Sequence, residues 1–207
     1  MSEVAAVDSA RLFGWLAALF AAPPNRELVA DHRGGAAIPW LDLLAADPDC
    51  AEAVVELRAV LAAARDDDAA TAQLGIGYGR LFEGIGGPNT VPPYESAHRG
   101  DGRLFQAPVS EMEALLAAHD LSVSVTVAEP ADHLAIELAL MARFVAADDP
   151  DRAVLAARLA GWIPTFASRC IAADTTGFWA AAARILVVAV ARECPTQPGR
   201  TQQEAHG

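Results

Sequence analysis

Two groups of polar side chains have a spacing that would let them act together at one site. The first is 129-EPADHLAIE-137, in which His133 and Glu137 are four residues apart and therefore share one face of a helix. The second is 92-PPYES-96, in which two prolines precede a phenol, a carboxylate and a hydroxyl. Imidazole, carboxylate and phenol groups can bind metals, cationic groups or peptides by coordination and hydrogen bonding.

The first group has the features of a helix N-terminus. Pro130 suits the first helical position, Asp132 would favour the helix dipole from the first turn, and Glu129 can act as a cap. His133 and Glu137 are then either a solvated pair on the helix surface or part of a binding site beside a cleft. A metal centre is disfavoured, because one HxxxE pair supplies two ligands whereas helical di-iron centres repeat the motif on a second helix.

The second group lies in a long connection predicted from about Gly84 to Phe105. Its prolines fix an extended backbone, and a long loop inside a compact domain is usually functional or disordered. It is either a proline-stiffened crossover or a rigid, exposed platform that presents Tyr94 and Glu95 to a ligand. A hydrolytic Ser96 paired with His98 or His133 is disfavoured, because no G-x-S-x-G turn surrounds the serine.

Helices are predicted for most of the remaining chain, because apolar residues recur at helical spacing. The predicted segments are 9–22, 39–44, 48–61, 66–82, 108–119, 130–147, 151–171 and 178–190. Ser9 is predicted to cap the first of these helices, and Pro23-Pro24 to end it. Residues 121–127 alternate apolar and polar side chains without a partner strand, which predicts an extended connection. The predicted fold is an all-α, single-domain helical bundle over residues 1–194, followed by a disordered tail at 195–207.

Composition excludes several classes of function. The chain has 207 residues and a formal net charge of −12, which disfavours nucleic acid as a partner. It contains no lysine, so Walker-type nucleotide loops and Schiff-base chemistry are excluded. The apolar run 12–22 is too short to span a bilayer, and the three cysteines are too dispersed for a disulfide framework. A cytoplasmic protein without stable membrane insertion is predicted.

The order of the motifs resembles the TorD/DmsD family of cytoplasmic chaperones for molybdenum enzymes. The resemblance covers about residues 10–192 and rests on four blocks: Tyr78-x-x-Leu81-Phe82-x-Gly84, Pro92-Pro93-Tyr94-Glu95-Ser96, Glu129-Pro130-x-Asp132-His133-x-x-x-Glu137, and Trp162-Ile163-Pro164-x-Phe166 with Phe178-Trp179. Tyrosine is common in the family where this chain has Trp179. A TorD-like fold with a long proline-containing loop is thereby implied.

The resemblance also implies a chaperone without enzymatic activity or cofactor. Its partner would be the apo catalytic subunit of a DMSO-reductase-type molybdoenzyme, whose twin-arginine leader it binds until the molybdenum cofactor is inserted, delaying Tat export. The client-binding residues carried over are Tyr94, Glu95, Ser96, Asp132 and His133, with Glu129 and Pro130 shaping the pocket. Guanine nucleotide binding and a domain-swapped homodimer are further family properties for which no residue of this chain is identified.

The chemistry of such a leader agrees with the residues available. Two guanidinium groups need carboxylates, which Glu95, Asp132 and Glu137 can supply as charge-assisted acceptors. The apolar run of a leader needs an apolar wall, for which the candidates are Tyr78, Phe82, Tyr94 and Leu134, with Pro92 and Pro93 stiffening one side. Two alternatives remain: a permanent helical partner subunit, and a metal- or nucleotide-dependent enzyme centred on His133 and Glu137.

Overall fold

A computed structural model describes residues 3–85, 87–99, 107–124 and 129–194. Over these residues the chain forms ten α-helices and two short 3-10 turns, at Gly87–Asn89 and Glu95–Ala97. The helices are α1 Glu3–Ala21, α2 Arg26–Gly34, α3 Ile38–Ala45, α4 Ala51–Ala63, α5 Asp67–Phe82, α6 Ala107–Ala118, α7 Leu134–Ala147, α8 Arg152–Ala160, α9 Ile163–Ala173 and α10 Phe178–Glu193. The all-α prediction is confirmed. None of these helices is both long and apolar enough to cross a membrane.

Two helices form the centre of the bundle. α10 packs against α4, α8, α9 and α1, and its apolar residues from Phe178 to Val190 are almost all buried. α1 and α7 make the most extensive helix–helix contact of the fold. α7 also packs on α8, so the helix that follows the EPADH motif is held on two sides.

A cluster of aromatic rings joins α1, α5, α9 and α10. Its members are Phe20, Tyr78, Phe82, Phe166 and Trp179, with ring centroids 4.9–6.1 Å apart. The Tyr78 hydroxyl donates to the Phe20 carbonyl oxygen at 3.1 Å, and Tyr78 and Phe82 are only 4% and 6% exposed. These two rings therefore belong to the core, which corrects the expectation that they form an open wall for a ligand.

Helix boundaries differ from the predicted ones at several places, among them α1, α2 and the pair α8 and α9. α1 begins at Glu3, so Ser9 lies inside the helix and does not cap it, although the helix ends before Pro23 as predicted. The predicted helix 151–171 is two helices, because the ring of Pro164, in the second position of α9, cannot continue the hydrogen bonding of α8. α2 was not predicted; Asn25 caps it by accepting a hydrogen bond from the Leu28 amide at 2.8 Å.

Three predictions fall wholly or partly outside the described residues. The segment 121–124 has no regular structure, as expected of a connection, while 125–127 lie outside. Residues 100–105 of the long loop and the predicted tail at 195–207 lie outside as well.

Candidate functional site

The two predicted motifs meet at the start of α7. The Leu134 amide donates to the Pro93 carbonyl oxygen at 2.8 Å, and the Glu95 amide donates to the Asp132 carbonyl oxygen at 3.0 Å. Tyr94 and His133 thereby form an isolated antiparallel bridge. Backbone hydrogen bonds, which need no particular side chain, therefore hold the PPYES segment against the EPADH segment.

His133 caps α7, which begins at Leu134 rather than at Pro130 as predicted. Its Nδ1 accepts a hydrogen bond from the Ala135 amide at 3.1 Å, which places the ring proton on Nε2. The preceding residues form a turn closed by the His133 amide on the Pro130 carbonyl oxygen at 3.0 Å. Burial lowers the pKa of His133, against the smaller opposing effects of Glu129 and Asp132, and so favours the neutral, capping imidazole.

The Asp132 side chain anchors the PPYES loop. Its Oδ2 accepts a hydrogen bond from the Ser96 amide at 3.0 Å, and both residues are buried. The other carboxylate oxygen, Asp132 Oδ1, and the hydroxyl Ser96 Oγ have no hydrogen-bond partner among the described residues. Ser96 is therefore bonded to no histidine, and Asp132 acts within the fold as an anchor for the 3-10 turn at Glu95–Ala97.

Glu95 and Glu137 are fully buried and share one arginine. Glu95 forms salt bridges with Arg99 and Arg158, while Glu137 accepts a hydrogen bond from Trp162 Nε1 at 3.2 Å. Arg158 Nε lies 3.9 Å from Glu137 Oε1. The solvated His133–Glu137 pair and the exposed platform at Glu95 and Ser96 are therefore wrong. Partners within the chain allow each of these polar groups to be buried.

Arg158 contacts four elements of the fold, a role that the two sequence motifs do not predict. It also donates to the Pro108 carbonyl oxygen at 2.8 Å and to Glu111 Oε2 at 2.8 Å. One guanidinium thus links α8, the PPYES loop, α6 and α7. A signal for it exists in the sequence: Leu155, Arg158, Leu159 and Trp162 follow the i, i+3, i+4, i+7 spacing of a buried stripe.

Burial raises the pKa of Glu137 well above its ordinary value of 4.5, and the neighbouring Glu95 carboxylate adds to that effect. Arg158 and the Trp162 hydrogen bond oppose it. The neutral acid is therefore favoured at Glu137, where it can donate its proton to Glu95. With Glu137 neutral, the Glu95 carboxylate is compensated by Arg99 and Arg158, which leaves little uncompensated negative charge in the interior.

Replacing Glu137 with glutamine is expected to remove a pH-dependent loss of stability. The folded chain holds this proton at pH values where an unfolded carboxyl with a pKa of 4.5 has lost it. Wild-type stability therefore falls as pH rises from 4.5 through the folded pKa, by up to about 1.4 kcal/mol per pH unit. In urea denaturation from pH 4 to pH 8, the free energy of unfolding of Glu137→Gln should increase relative to that of the wild type as the pH rises. The exposed Glu113→Gln is the control, and parallel curves for Glu137→Gln and wild type would contradict the assignment.

His98 supports the start of the loop. Its Nε2 donates to the Pro92 carbonyl oxygen at 2.8 Å, and its ring stacks on Trp162 with centroids 5.6 Å apart and planes 20° apart. Burial lowers the pKa of His98, and Arg169, which lies 3.4 Å from His98 Nδ1, contributes in the same direction. A neutral His98 therefore links the Pro92 carbonyl group to the Trp162 ring, which directly precedes α9.

A rim of half-buried side chains lies above this framework. The Tyr94 hydroxyl donates to Glu129 Oε2 at 2.6 Å, and the Tyr94 ring meets the His133 ring edge-on at 5.1 Å. Burial and the bond to Glu129 raise the pKa of Tyr94, so the phenol keeps its proton. Pro92 and Pro130 are half-buried as well. Of the four carboxylates in the two motifs, Glu129 alone is partly exposed.

An apolar groove of about 480 Å³ lies along α7. It begins at Ala135, two residues after the capping histidine, and runs towards Arg143 between α1 and the segment 116–124. Its apolar lining includes Ala17, Ala21, Leu116, Leu121, Ile136 and Leu140. Leu134, predicted to form an apolar wall, is instead fully buried.

One group of side chains among the described residues is compact enough to hold a metal ion. It consists of His119, Asp149 and Asp151, and His119 Nε2 lies 2.9 Å from Asp151 Oδ2. The group does not include His133 or Glu137, on which the metal-enzyme alternative was centred.

Comparisons with known proteins give a consistent result. The sequence pattern of the family described as nitrate reductase delta subunit matches residues 44–168. The chaperone protein TorD of Shigella boydii serotype 18 is 31% identical over 207 residues, covering 95% of this chain and 99% of the relative. TorD of Aeromonas salmonicida is 31% identical over 192 residues, covering 86% of each chain.

A solved structure supports the fold. A crystal structure of a protein from Archaeoglobus fulgidus, described as a redox enzyme maturation protein, superposes with a TM-score of 0.56. The match covers 87% of this chain and 93% of the other at 18% sequence identity. At that identity the likeness concerns the arrangement of the helices.

Proposed function

The chain belongs to the nitrate reductase delta subunit family, with the TorD chaperones among its relatives, and we propose that it matures a DMSO-reductase-type molybdoenzyme. In this proposal it binds the apo catalytic subunit in the cytoplasm through the twin-arginine leader. Holding the leader delays Tat export until the molybdenum cofactor has been inserted.

The observation that carries the proposal is the Tyr94–Glu129 pair at the half-exposed rim. A leader presents two adjacent guanidinium groups, and a carboxylate binds such a group with charge-assisted, often bidentate hydrogen bonds. Glu129 uses Oε2 to accept from Tyr94, and since its second oxygen has no hydrogen-bond partner among the described residues, that oxygen can bind a ligand. The Tyr94 ring, already oriented by His133, can stack against a guanidinium plane at little cost in side-chain entropy.

The buried carboxylates have a different role in this proposal from the one the sequence indicated. Glu95, Asp132 and Glu137 contact groups within the chain, so they position the rim rather than bind the client. His133 and Ser96 act with them, through the cap and the loop anchor. The prediction that all these residues belong to the client-binding site thus separates into contacting and positioning residues.

The apolar groove along α7 is the proposed seat for the apolar run of the leader. Its alanines on α1 and α7 leave room for the side chains of an incoming helix, and helix-in-groove binding gains affinity from apolar burial. The groove begins within one turn of His133, and a ten-residue helical run is about 15 Å long. The groove thus starts at the end of α7 that carries the rim.

The two alternative functions have less support. The relatives are named as chaperones, which argues against an enzyme centred on His133 and Glu137, as does the full burial of Glu137. A permanent helical subunit would co-purify at fixed stoichiometry with one partner. Release of the partner after maturation distinguishes the chaperone from the permanent subunit.

The proposal is tested by affinity purification of the tagged chain from its native cells, with mass spectrometry of the bound proteins. We expect recovery of a molybdoenzyme precursor that retains its leader. Recovery of a molybdoenzyme without a leader would move recognition to the body of the enzyme. If no molybdoenzyme is captured while one is being expressed, the proposed function is wrong.

A further inference from the structure

Two arginines without a carboxylate contact flank the same surface groove. In this acidic chain most described arginines form salt bridges with aspartate or glutamate. Among the described residues, Arg80, Arg143 and Arg169 contact no carboxylate, and Arg11 lies over the Trp40 ring instead. Arg80 and Arg169 are exposed and line adjoining cavities of about 300 and 380 Å³.

The two cavities form one groove. Both are lined by Asn89, Ala173 and Thr175, so they meet between the segment 87–91 and the turn that joins α9 to α10. Arg80 lies in the first cavity and Arg169 in the second. We call this surface the polar groove and define it by Arg80, Asn89, Thr90, Arg169, Ala173 and Thr175.

Asp174, the one acidic residue in the described lining of the polar groove, does not pair with the arginines. Asp174 Oδ1 accepts from the amide and the hydroxyl of Thr176, both at 2.8 Å, and Oδ2 accepts from the Ala180 amide at 2.9 Å. The carboxylate is therefore used to cap α10, where the positive end of the helix dipole offsets its charge. Among the described residues, neither guanidinium group of the groove therefore contacts a carboxylate.

Two buried polar atoms beside the groove also have no hydrogen-bond partner among the described residues. They are Thr90 Oγ1, on a residue that lines the groove, and Trp179 Nε1. Trp179 Nε1 lies beside Gly77, which lines the groove: a Cβ at Gly77 would come within 3.1 Å of it. A buried donor without an acceptor is unfavourable, and Thr90 carries such a donor in the wall of the groove.

We propose that the polar groove binds an oxyanion, the carboxylate or phosphate group of a small ligand. Arg80 and Arg169 provide the charged donors, while Asn89 and Thr90 provide neutral ones. Guanidinium groups suit both anions because their planar donors match two oxygens at once. The proposal does not depend on the client, because the groove lies outside the Tyr94–Glu129 rim.

An anion in the groove would also contact the support of the PPYES loop. Arg169 lies 3.4 Å from His98 Nδ1, and His98 bonds the Pro92 carbonyl oxygen. Arg169 and His98 therefore lie between the ligand and the loop, so ligand binding is expected to change the environment of Tyr94.

The test is calorimetric titration of the full chain with inorganic phosphate and, separately, with citrate at constant ionic strength. The variants are Arg80→Gln with Arg169→Gln, and Arg143→Gln as the matched control, since Arg143 is exposed and equally free of carboxylate contacts. Losing one charge-assisted hydrogen bond costs about tenfold in affinity or more. We expect saturable binding that weakens at least tenfold in the double variant and is unchanged in Arg143→Gln.

Each result of these titrations either supports or overturns the proposed oxyanion site. Tighter binding of phosphate identifies a phosphate ligand, tighter binding of citrate identifies a carboxylate ligand, and both support the site. Absence of saturable binding to wild type, or an equal loss in Arg143→Gln, overturns it. Circular dichroism of the variants checks that both exposed substitutions leave the helices intact.

Discussion

Replacing Arg158 with methionine is expected to lower the free energy of unfolding by about 3–5 kcal/mol, the usual cost of leaving a buried charge without its partner. The Arg158 side chain is 11% exposed and Glu95 is fully buried. Without Arg158, the remaining cationic partner of Glu95 among the described residues is Arg99, whose side chain is 44% exposed. Guanidinium denaturation at pH 7, followed by circular dichroism, measures the change.

Two further variants separate charge from packing. Arg184→Met removes a salt bridge to Glu56 whose side chains are 36% and 42% exposed, so a loss of about 1 kcal/mol or less is expected. Adding Glu95→Gln to Arg158→Met should recover part of the stability, because it removes the charge left unpaired. Equal losses in Arg158→Met and Arg184→Met would show that the buried network contributes no more than a surface pair.

Replacing Glu129 with glutamine is expected to weaken binding of a twin-arginine leader peptide by about tenfold or more. The substitution keeps the side-chain shape and an acceptor for Tyr94 but removes the charge that a guanidinium needs, and hydrogen bonds to charged groups contribute roughly 1.5–3 kcal/mol. Because Glu129 is partly exposed, thermal stability should change little. Fluorescence anisotropy of a labelled synthetic leader gives the dissociation constants.

Glu113→Gln is the matched control for this second result. Glu113 is an exposed glutamate on α6, so its loss changes the net charge equally but leaves the rim intact. An equal weakening in both variants would mean that the leader responds to the overall charge of the chain, and the rim would not be its binding site.

The division between rim and framework explains how this fold can combine rigidity with recognition. Backbone bonds and buried side chains hold Tyr94 and Glu129 in place, so the residues that would contact a client need not also stabilise the fold. In the described residues the costly groups, Glu95, Glu137 and Arg158, lie beneath the surface and compensate one another. Substitutions at the rim and in the framework should therefore affect binding and stability separately.

The sequence predicts the helices well because their stability comes from periodic apolar faces. The long apolar run of α10 and the stripe of α1 lie in the core as that period requires. The starts of helices are predicted less well. Pro130 is a favourable first helical residue, but the PPYES loop forms hydrogen bonds with the backbone around Asp132, and α7 starts only at Leu134. This is a tertiary effect, which no local sequence pattern predicts.

The pairing of the two motifs and the burial of their carboxylates differ in how far they can be predicted. The family resemblance places the PPYES and EPADH motifs in one site, whereas their spacing in the sequence does not predict that they meet. Burial of Glu137 has a local signal, because Leu134, Glu137, Leu138 and Met141 repeat the stripe spacing found at Arg158. Glu137 and Arg158 each lie within an apolar stripe of a helix, which indicates that the two form a buried ion pair. The stripes do not indicate that Glu95 joins this pair.

The central claim, that Glu129 contacts the paired arginines of a leader, is tested most directly by a double-mutant cycle. The cycle measures binding of wild type and Glu129→Gln to a leader peptide and to the same peptide with its two arginines replaced by glutamine. A direct contact predicts a coupling energy of about 0.5–3 kcal/mol. If the two changes are instead additive, Glu129 and the arginines do not interact, and the leader binds elsewhere on the chain.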